Sequence, residues 1–251
     1  MSGCPDFTKP WSPGSEDECA AFLNNIVLKV YSALPSMATA SLRWWTTANS
    51  VRSVEDGGGR RRPDLVLMGA SSDNPTNPKA LPPANWRSVH ALAELKDREK
   101  NSVPLHEQIF QLMGRALFLR AAQDRQLHIS GFALCGASFT LFYIDQGGSI
   151  VTSEIDVHQQ PLLFLHVVLC FAHSTDICMG YDAMASPTHI KTSVLGKLKV
   201  HCILFIMDSI HGRGTVVRCA QVPAFADFDS PQFSALLGVN IIVKDTWHDV
   251  R

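Results

Sequence analysis

A glutamate and a lysine two residues apart, at the end of a strand-like run, limit what this chain can fold into. The run is "WRSVHALAELK", Trp86 to Lys96. Read as a strand, its side chains alternate between two faces, so Glu94 and Lys96 point one way and Leu95 points into a core. Earlier, "RPDLVLMG" predicts a short strand over Asp64 to Met68 that opens on a carboxylate. If the two strands pair, Asp64, Glu94 and Lys96 converge at one end. Two carboxylates are hard oxygen ligands of the kind magnesium takes, with water in the remaining positions. Such an ion acidifies a water and stabilises charge on a phosphate, and a neighbouring lysine helps orient or stabilise. Asp64, Glu94 and Lys96 are therefore candidate catalytic residues, and Asp64 and Glu94 candidate magnesium ligands. The plainer alternative is a solvated strand edge, where a carboxylate and a lysine at this spacing often occur.

The flanking segments supply the rest of a domain. Residues 1–14 are rich in proline and glycine and read as a loose tail. "SEDECAAFLNNIVLKVYSALP" predicts a helix that opens on a capping box, Ser15 with Glu18. Phe22, Ile26, Val30 and Leu34 share one face, and Pro35 stops it. "VPLHEQIFQLMGRALFLRAAQ" predicts another helix, with Ile109, Leu112, Ala116 and Leu119 on one stripe. "SFTLFYIDQGGSIVTSEI" reads as two strands joined at "DQGG", where glycine tolerates positive φ. "PLLFLHVVLCFAH" reads as a buried helix with Pro161 in its first turn. The order helix, strand, strand, helix, strand, with Pro-Asp and Glu-x-Lys on the strands, resembles the PD-(D/E)xK nuclease-like fold. That resemblance implies a glutamine on the helix after the lysine, for which Gln108 and Gln111 are candidates. Arg60, Arg61 and Arg62 could neutralise phosphates, or form a solvated basic turn. Trp44 and Trp45 could stack a base, or pack a lid between the first helix and the arginine turn.

Composition excludes several classes. Of 251 residues, 46% are hydrophobic and 18% charged, which describes a globular chain. A net charge of −1 provides no global field for nucleic acid or anionic membrane. The seven cysteines are scattered and form no CxxC pair, which favours free thiols in a reducing compartment over disulfides or a zinc knuckle. No signal pattern opens the chain, and the apolar run from Leu162 falls short of the roughly 20 residues a spanning helix needs. The expectation is an intracellular protein, cytoplasmic or nuclear, without a membrane segment. His90, His128, His166 and His201 read as ordinary strand or core residues.

A second constellation lies further on. Composition turns polar over Ser174 to Thr192, and a domain boundary is expected near residue 185. Beyond it "VHCILFIMDSI", "TVVRCAQV" and "VNIIVKDTW" read as strands. Gly212-Arg213-Gly214 joins the first two, and Lys244 lies on the third. That order matches the opening of a protein kinase small lobe, where glycines let the backbone close over ATP phosphates and a third-strand lysine pairs with them. Val217 stands where the usual pattern has its third glycine. "ADFDS" from Ala226 imitates part of a metal-binding motif but precedes the lysine.

Taken in order, "RRRPDLVLMG", "WRSVHALAELK", "GRALFLRAAQDRQLHISGFALCG", "FTLFYIDQGGSIVTSEIDV", "PLLFLHVVL", "MGYDA", "HGRGTVVRCA" and "IIVKDTW" resemble the N-terminal portion of the fungal-type protein kinases, a family expanded in mushroom-forming fungi. The resemblance implies an α/β (α+β) chain: a PD-(D/E)xK-like domain over 15–185, then part of a kinase small lobe over 186–251. It implies ATP as ligand, with Gly212 and Gly214 in the phosphate loop and Lys244 as the ATP-contacting lysine. The chain stops before the catalytic lobe of that family, so the expectation is a truncated, pseudokinase-like product without phosphotransfer. Two other expectations stand beside it. One is a magnesium-dependent nuclease or nucleic-acid-binding module built on Asp64, Glu94 and Lys96. The other is an interaction fragment that docks a protein partner.

Overall fold

Ser15 starts the first helix as expected: its hydroxyl accepts the amide N–H of Glu18 at 3.2 Å. The computed structural model describes residues 15–33, 42–48, 62–81, 84–96, 105–145, 147–206, 214–223 and 235–247. Helix α1 (Glu16–Ala33) buries Cys19, Ala20, Leu23, Asn24, Ile26 and Val27. The buried face is therefore rotated from the expected stripe: Ile26 is buried, while Phe22 and Val30 are only half-buried. Asn24 explains the difference. Its side chain donates to the carbonyl of Trp45 at 2.8 Å and accepts from the Trp45 amide at 2.9 Å. A polar residue thus occupies the middle of the buried face and satisfies the open edge of the first strand. Leu34 and Pro35 lie outside the described residues.

That first strand, β1 (Arg43–Thr47), is where the tryptophans lie. Trp44 and Trp45 are buried at 0% and 1% exposure, so neither can stack a nucleic-acid base, and they form part of a sheet rather than a lid. β1 pairs antiparallel with β2 (Leu65–Gly69), and β2 pairs antiparallel with β3 (Val89–Lys96). Helix α2 (Leu105–Ala122) crosses over, and β4 (Ile129–Cys135) returns parallel to β3. A hairpin of β5 (Ser138–Ile144) and β6 (Ser149–Val151) follows, with β7 (Ile155–Asp156) also on β5. The turn between β5 and β6 is the expected one. Asp145 caps it by accepting from the amides of Gly147 and Gly148, and Gly148 takes φ 146°.

Both faces of this seven-stranded sheet are covered. Leu65, Leu67, Ala91, Ala93, Phe132 and Phe139 pack against α1 and α3 (Pro161–His173). Val66, Met68, Leu92 and Ala133 pack against Leu112, Ala116 and Leu119 of α2. Double coverage is why β2 reads as an unbroken apolar run. Each fully buried Leu or Phe here contributes roughly 1.5–3 kcal/mol. The helix α3 is half-buried, not enclosed: Phe164, Val168, Phe171 and Ala172 face the core, while Leu162 is 79% exposed. His166 lies on its solvent side and His201 on an exposed strand, so neither is a core residue.

The last third of the chain forms a separate four-stranded antiparallel sheet. Its strands are β8 (His189–Thr192), β9 (Gly196–Ile206), β10 (Gly214–Gln221) and β11 (Asn240–Trp247), in the order β11-β10-β9-β8. β8 falls at the end of the stretch, Ser174 to Thr192, where the composition turns polar. The architecture is mixed α and β, with three helices and two sheets among the described residues. Long-range polar contacts fasten its N-terminal edge. Arg43, 1% exposed, donates to the carbonyl of Ser174 and to the carboxylate of Asp176, each at 2.5 Å. Among the described residues no helix is long and apolar enough to cross a membrane.

Candidate functional site

Two regions gather the residues singled out above. The first lies where β2 begins and β3 ends. Asp64 immediately precedes β2, and its Oδ2 accepts the main-chain amide of Leu95 at 2.7 Å. Glu94 is completely buried. Leu95 packs against the α1 and α3 side, so alternation sends Glu94 and Lys96 to the α2 side, as the sequence implied. The Lys96 ammonium lies 2.7 Å from Glu94 Oε1, and the Arg115 guanidinium of α2 pairs with Glu94 Oε2. Both cations are themselves largely buried, at 17% and 12% exposure.

Other groups complete the cluster. Glu16 in the first turn of α1 is held above the usual carboxylate range, by partial burial first and then by the nearby Asp64 and Asp17. Lys96 and Arg115 act on it in the opposite sense. Burial pushes the Cys19 thiol up to about 12, and the Asp64 charge adds to it. Gln108 on α2 is buried, whereas Gln111 faces solvent, which separates the two glutamine candidates. Arg62 is exposed, and Arg60 and Arg61 lie outside the described residues.

A magnesium ion does not fit this arrangement. Each oxygen of Glu94 already faces a cation, and an incoming ion would have to displace Lys96 or Arg115 from a buried carboxylate. Asp64 directs one oxygen to a backbone amide. Among the described residues no three His, Cys, Asp or Glu side chains stand together as a metal site. What the arrangement can do is hold charge in place. Sequence reasoning missed Glu16 and Arg115. A signal for Arg115 existed, because Gln108, Leu112, Arg115 and Leu119 share one helical stripe.

The second region is the outer face of the small sheet. Directly opposed residues on paired strands share a face. Val217 stands opposite Lys244, and Phe205 opposite Val217. In the next row Cys219 stands opposite Ile242, and Cys202 opposite Cys219. This face is open: Phe205 is 49% and Ile242 62% exposed, and Lys244 is exposed beside them. The result is an apolar shelf with one ammonium at its edge. The other face carries Val216 and Ala220 towards a small core with Ile190, Leu198 and Val222. Asp245 alternates to that inner side, where Arg218 binds its carboxylate. Gly214 opens β10, and Gly212 lies outside the described residues.

What this face offers chemically is apolar contact from Phe205, Val217, Cys219 and Ile242 with one ammonium, Lys244, beside it. The family model described as fungal protein kinase matches residues 62–251. No curated protein and no solved structure matches the chain.

Proposed function

Because the chain belongs to the fungal protein kinase family, whose membership implies ATP and magnesium in general, we propose that its small sheet is a nucleotide-binding face. In this reading Lys244 contacts the phosphates, Val217, Cys219 and Ile242 meet the base, and Gly212 and Gly214 belong to the loop over the phosphates. The observation that carries it is the pairing of Val217 with Lys244 on an exposed apolar face. The domain boundary is placed near residue 185, so that 186–251 forms the kinase-like part. Phosphate transfer also calls for acidic groups turned toward the same nucleotide. The carboxylate beside the lysine, Asp245, is turned the other way and bound by Arg218. The reading proposed for these 251 residues is nucleotide binding without phosphate transfer, as in a pseudokinase; among the described residues, the orientation of Asp245 supports it. Two assays test this. A fluorescent ATP analogue should bind the wild type and lose affinity at least tenfold in Lys244→Met. Phosphate transfer by the purified chain that disappears in Lys244→Met would refute the inactive reading.

A second reading concerns the front domain. The order α1, β1, β2, β3, α2, β4, with a parallel return and the Asp64, Glu94 and Lys96 cluster at one sheet end, supports the PD-(D/E)xK fold. The double ion pair on Glu94 favours a structural remnant of that site, serving to dock a protein or nucleic acid without metal chemistry. DNA or RNA cleavage that requires magnesium or manganese and is lost in Glu94→Ala would overturn it.

A further inference from the structure

Arg218 is 2% exposed, on the inner face of β10, and uses every nitrogen of its guanidinium. Nε donates to Asp124 Oδ2 at 2.9 Å, and Nη2 donates to the Asp124 carbonyl at 2.8 Å. Nη1 pairs with the carboxylate of Asp245. The two aspartates belong to different parts of the molecule. Asp124 follows α2 in the turn that leads to β4, and Asp245 lies on β11 next to Lys244.

The turn bearing Asp124 is itself fixed. Gln123 Nε2 donates to the carbonyls of Trp86 and Val89, at 2.8 and 2.6 Å. Gln126 Nε2 donates to those of His90 and Met179, at 3.0 and 3.2 Å. These bonds hold the turn to the start of β3 and to Met179, so Asp124 is anchored to the front domain. The small sheet's own core is small: Ile190, Leu198, Ala220 and Val222 are buried, with partly buried side chains such as Val200, Leu237, Ile241 and Val243 against them. A guanidinium with three directed contacts fixes geometry more tightly than that apolar contact does.

We infer that Arg218 is a positioning residue that ties the strand bearing Lys244 to the front domain through Asp124 and Asp245. On a strand, adjacent side chains point to opposite faces. Gripping Asp245 from the inner side therefore sets the roll of β11 and the direction in which Lys244 leaves it. The consequence is that phosphate binding at Lys244 depends on the front domain, through a charged bridge that crosses between two sheets. The inference rests on the reading of Lys244 as the phosphate contact.

The test uses the full chain, the fluorescent ATP analogue with magnesium chloride, hydrogen exchange of the 240–247 amides, and melting temperature. Asp124→Asn removes the front-domain charge without touching the small sheet, and it keeps the test decisive if Arg218→Ala fails to fold. Both variants are expected to weaken analogue binding about tenfold and to speed exchange in 240–247. A lower melting temperature with affinity and exchange in 240–247 both unchanged marks a merely structural bridge and overturns the inference. Exchange is read without nucleotide. If the wild type binds no analogue, the nucleotide reading fails, while unchanged exchange in Asp124→Asn would separately refute the tie itself.

Discussion

The Asp64 carboxylate accepts the main-chain amide of Leu95 at 2.7 Å, across 31 residues of sequence. This bond closes the ladder between β2 and β3 one step beyond the last paired strand residues, Leu65 and Ala93. It fixes the end of β3 where Glu94 and Lys96 diverge from Leu95. Removing the acceptor leaves a half-buried amide unpaired. Asp64→Ala should destabilise the chain by about 1–3 kcal/mol in urea unfolding. Asp64→Asn keeps a carbonyl acceptor and should cost less. Equal losses for the two would show that the charge, not the acceptor, matters.

Glu94 answers two cations from a fully buried position. Truncating it strands Lys96 and Arg115 in a poorly solvated place. Glu94→Ala should cost on the order of 3–5 kcal/mol. Pairing it with Arg115→Met, which removes one stranded charge, should recover part of that loss. A double variant no more stable than Glu94→Ala would contradict the ion-pair account.

His90 ties stability to acid. Burial first, then Arg43 and Arg125, holds its imidazole down to about 4, against a partial opposite pull from Asp176. Between that value and its unfolded value near 6.5, the unfolded chain carries the extra proton. Acid therefore favours unfolding, and stability falls as pH drops from about 6.5 to about 4. The loss attributable to His90 should approach roughly 2–3 kcal/mol at its end. Comparing wild type with His90→Gln by chemical denaturation at pH 7.5, 5.5 and 4 isolates it. The gap between the two should shift by that amount across the series, and a constant gap refutes the assignment.

Gly131 on β4 has no room for a side chain. A Cβ there would lie 2.1 Å from the Leu92 carbonyl oxygen and 2.3 Å from the Phe142 ring. Neither can retreat, because Leu92 pairs with Gly131 in the ladder and Phe142 is buried against α2. Gly131→Ala should lose about 3 kcal/mol or more, or fail to accumulate in soluble form. Near-normal melting would show that β3 and β4 lie further apart than described.

How much of this was legible in the sequence differs from residue to residue. The strand beginning at Asp64, the alternation through Glu94, Leu95 and Lys96, and the Asp145 turn were readable because each is a local pattern. β1 was not, because "RWWTT" is buried on both faces and shows no alternation. The face of α1 was misjudged because Asn24 occupies its centre, and its partner is a backbone 21 residues away. Arg43 and Arg218 look like surface charges in sequence. Arg43 meets Asp176 133 residues off, and Arg218 meets Asp124 94 residues off as well as Asp245 27 off, and only the closed fold brings them together.

The Arg43 clasp also has a meaning in time. Its partners, Ser174 and Asp176, are made long after it. A ribosome adding about 5–20 residues per second needs on the order of 10 s to cover that span. Through that interval a guanidinium destined for the interior, next to two tryptophans, lacks the carboxylate it pairs with in the fold. Until Ser174 and Asp176 have been added, the clasp on the first strand cannot close.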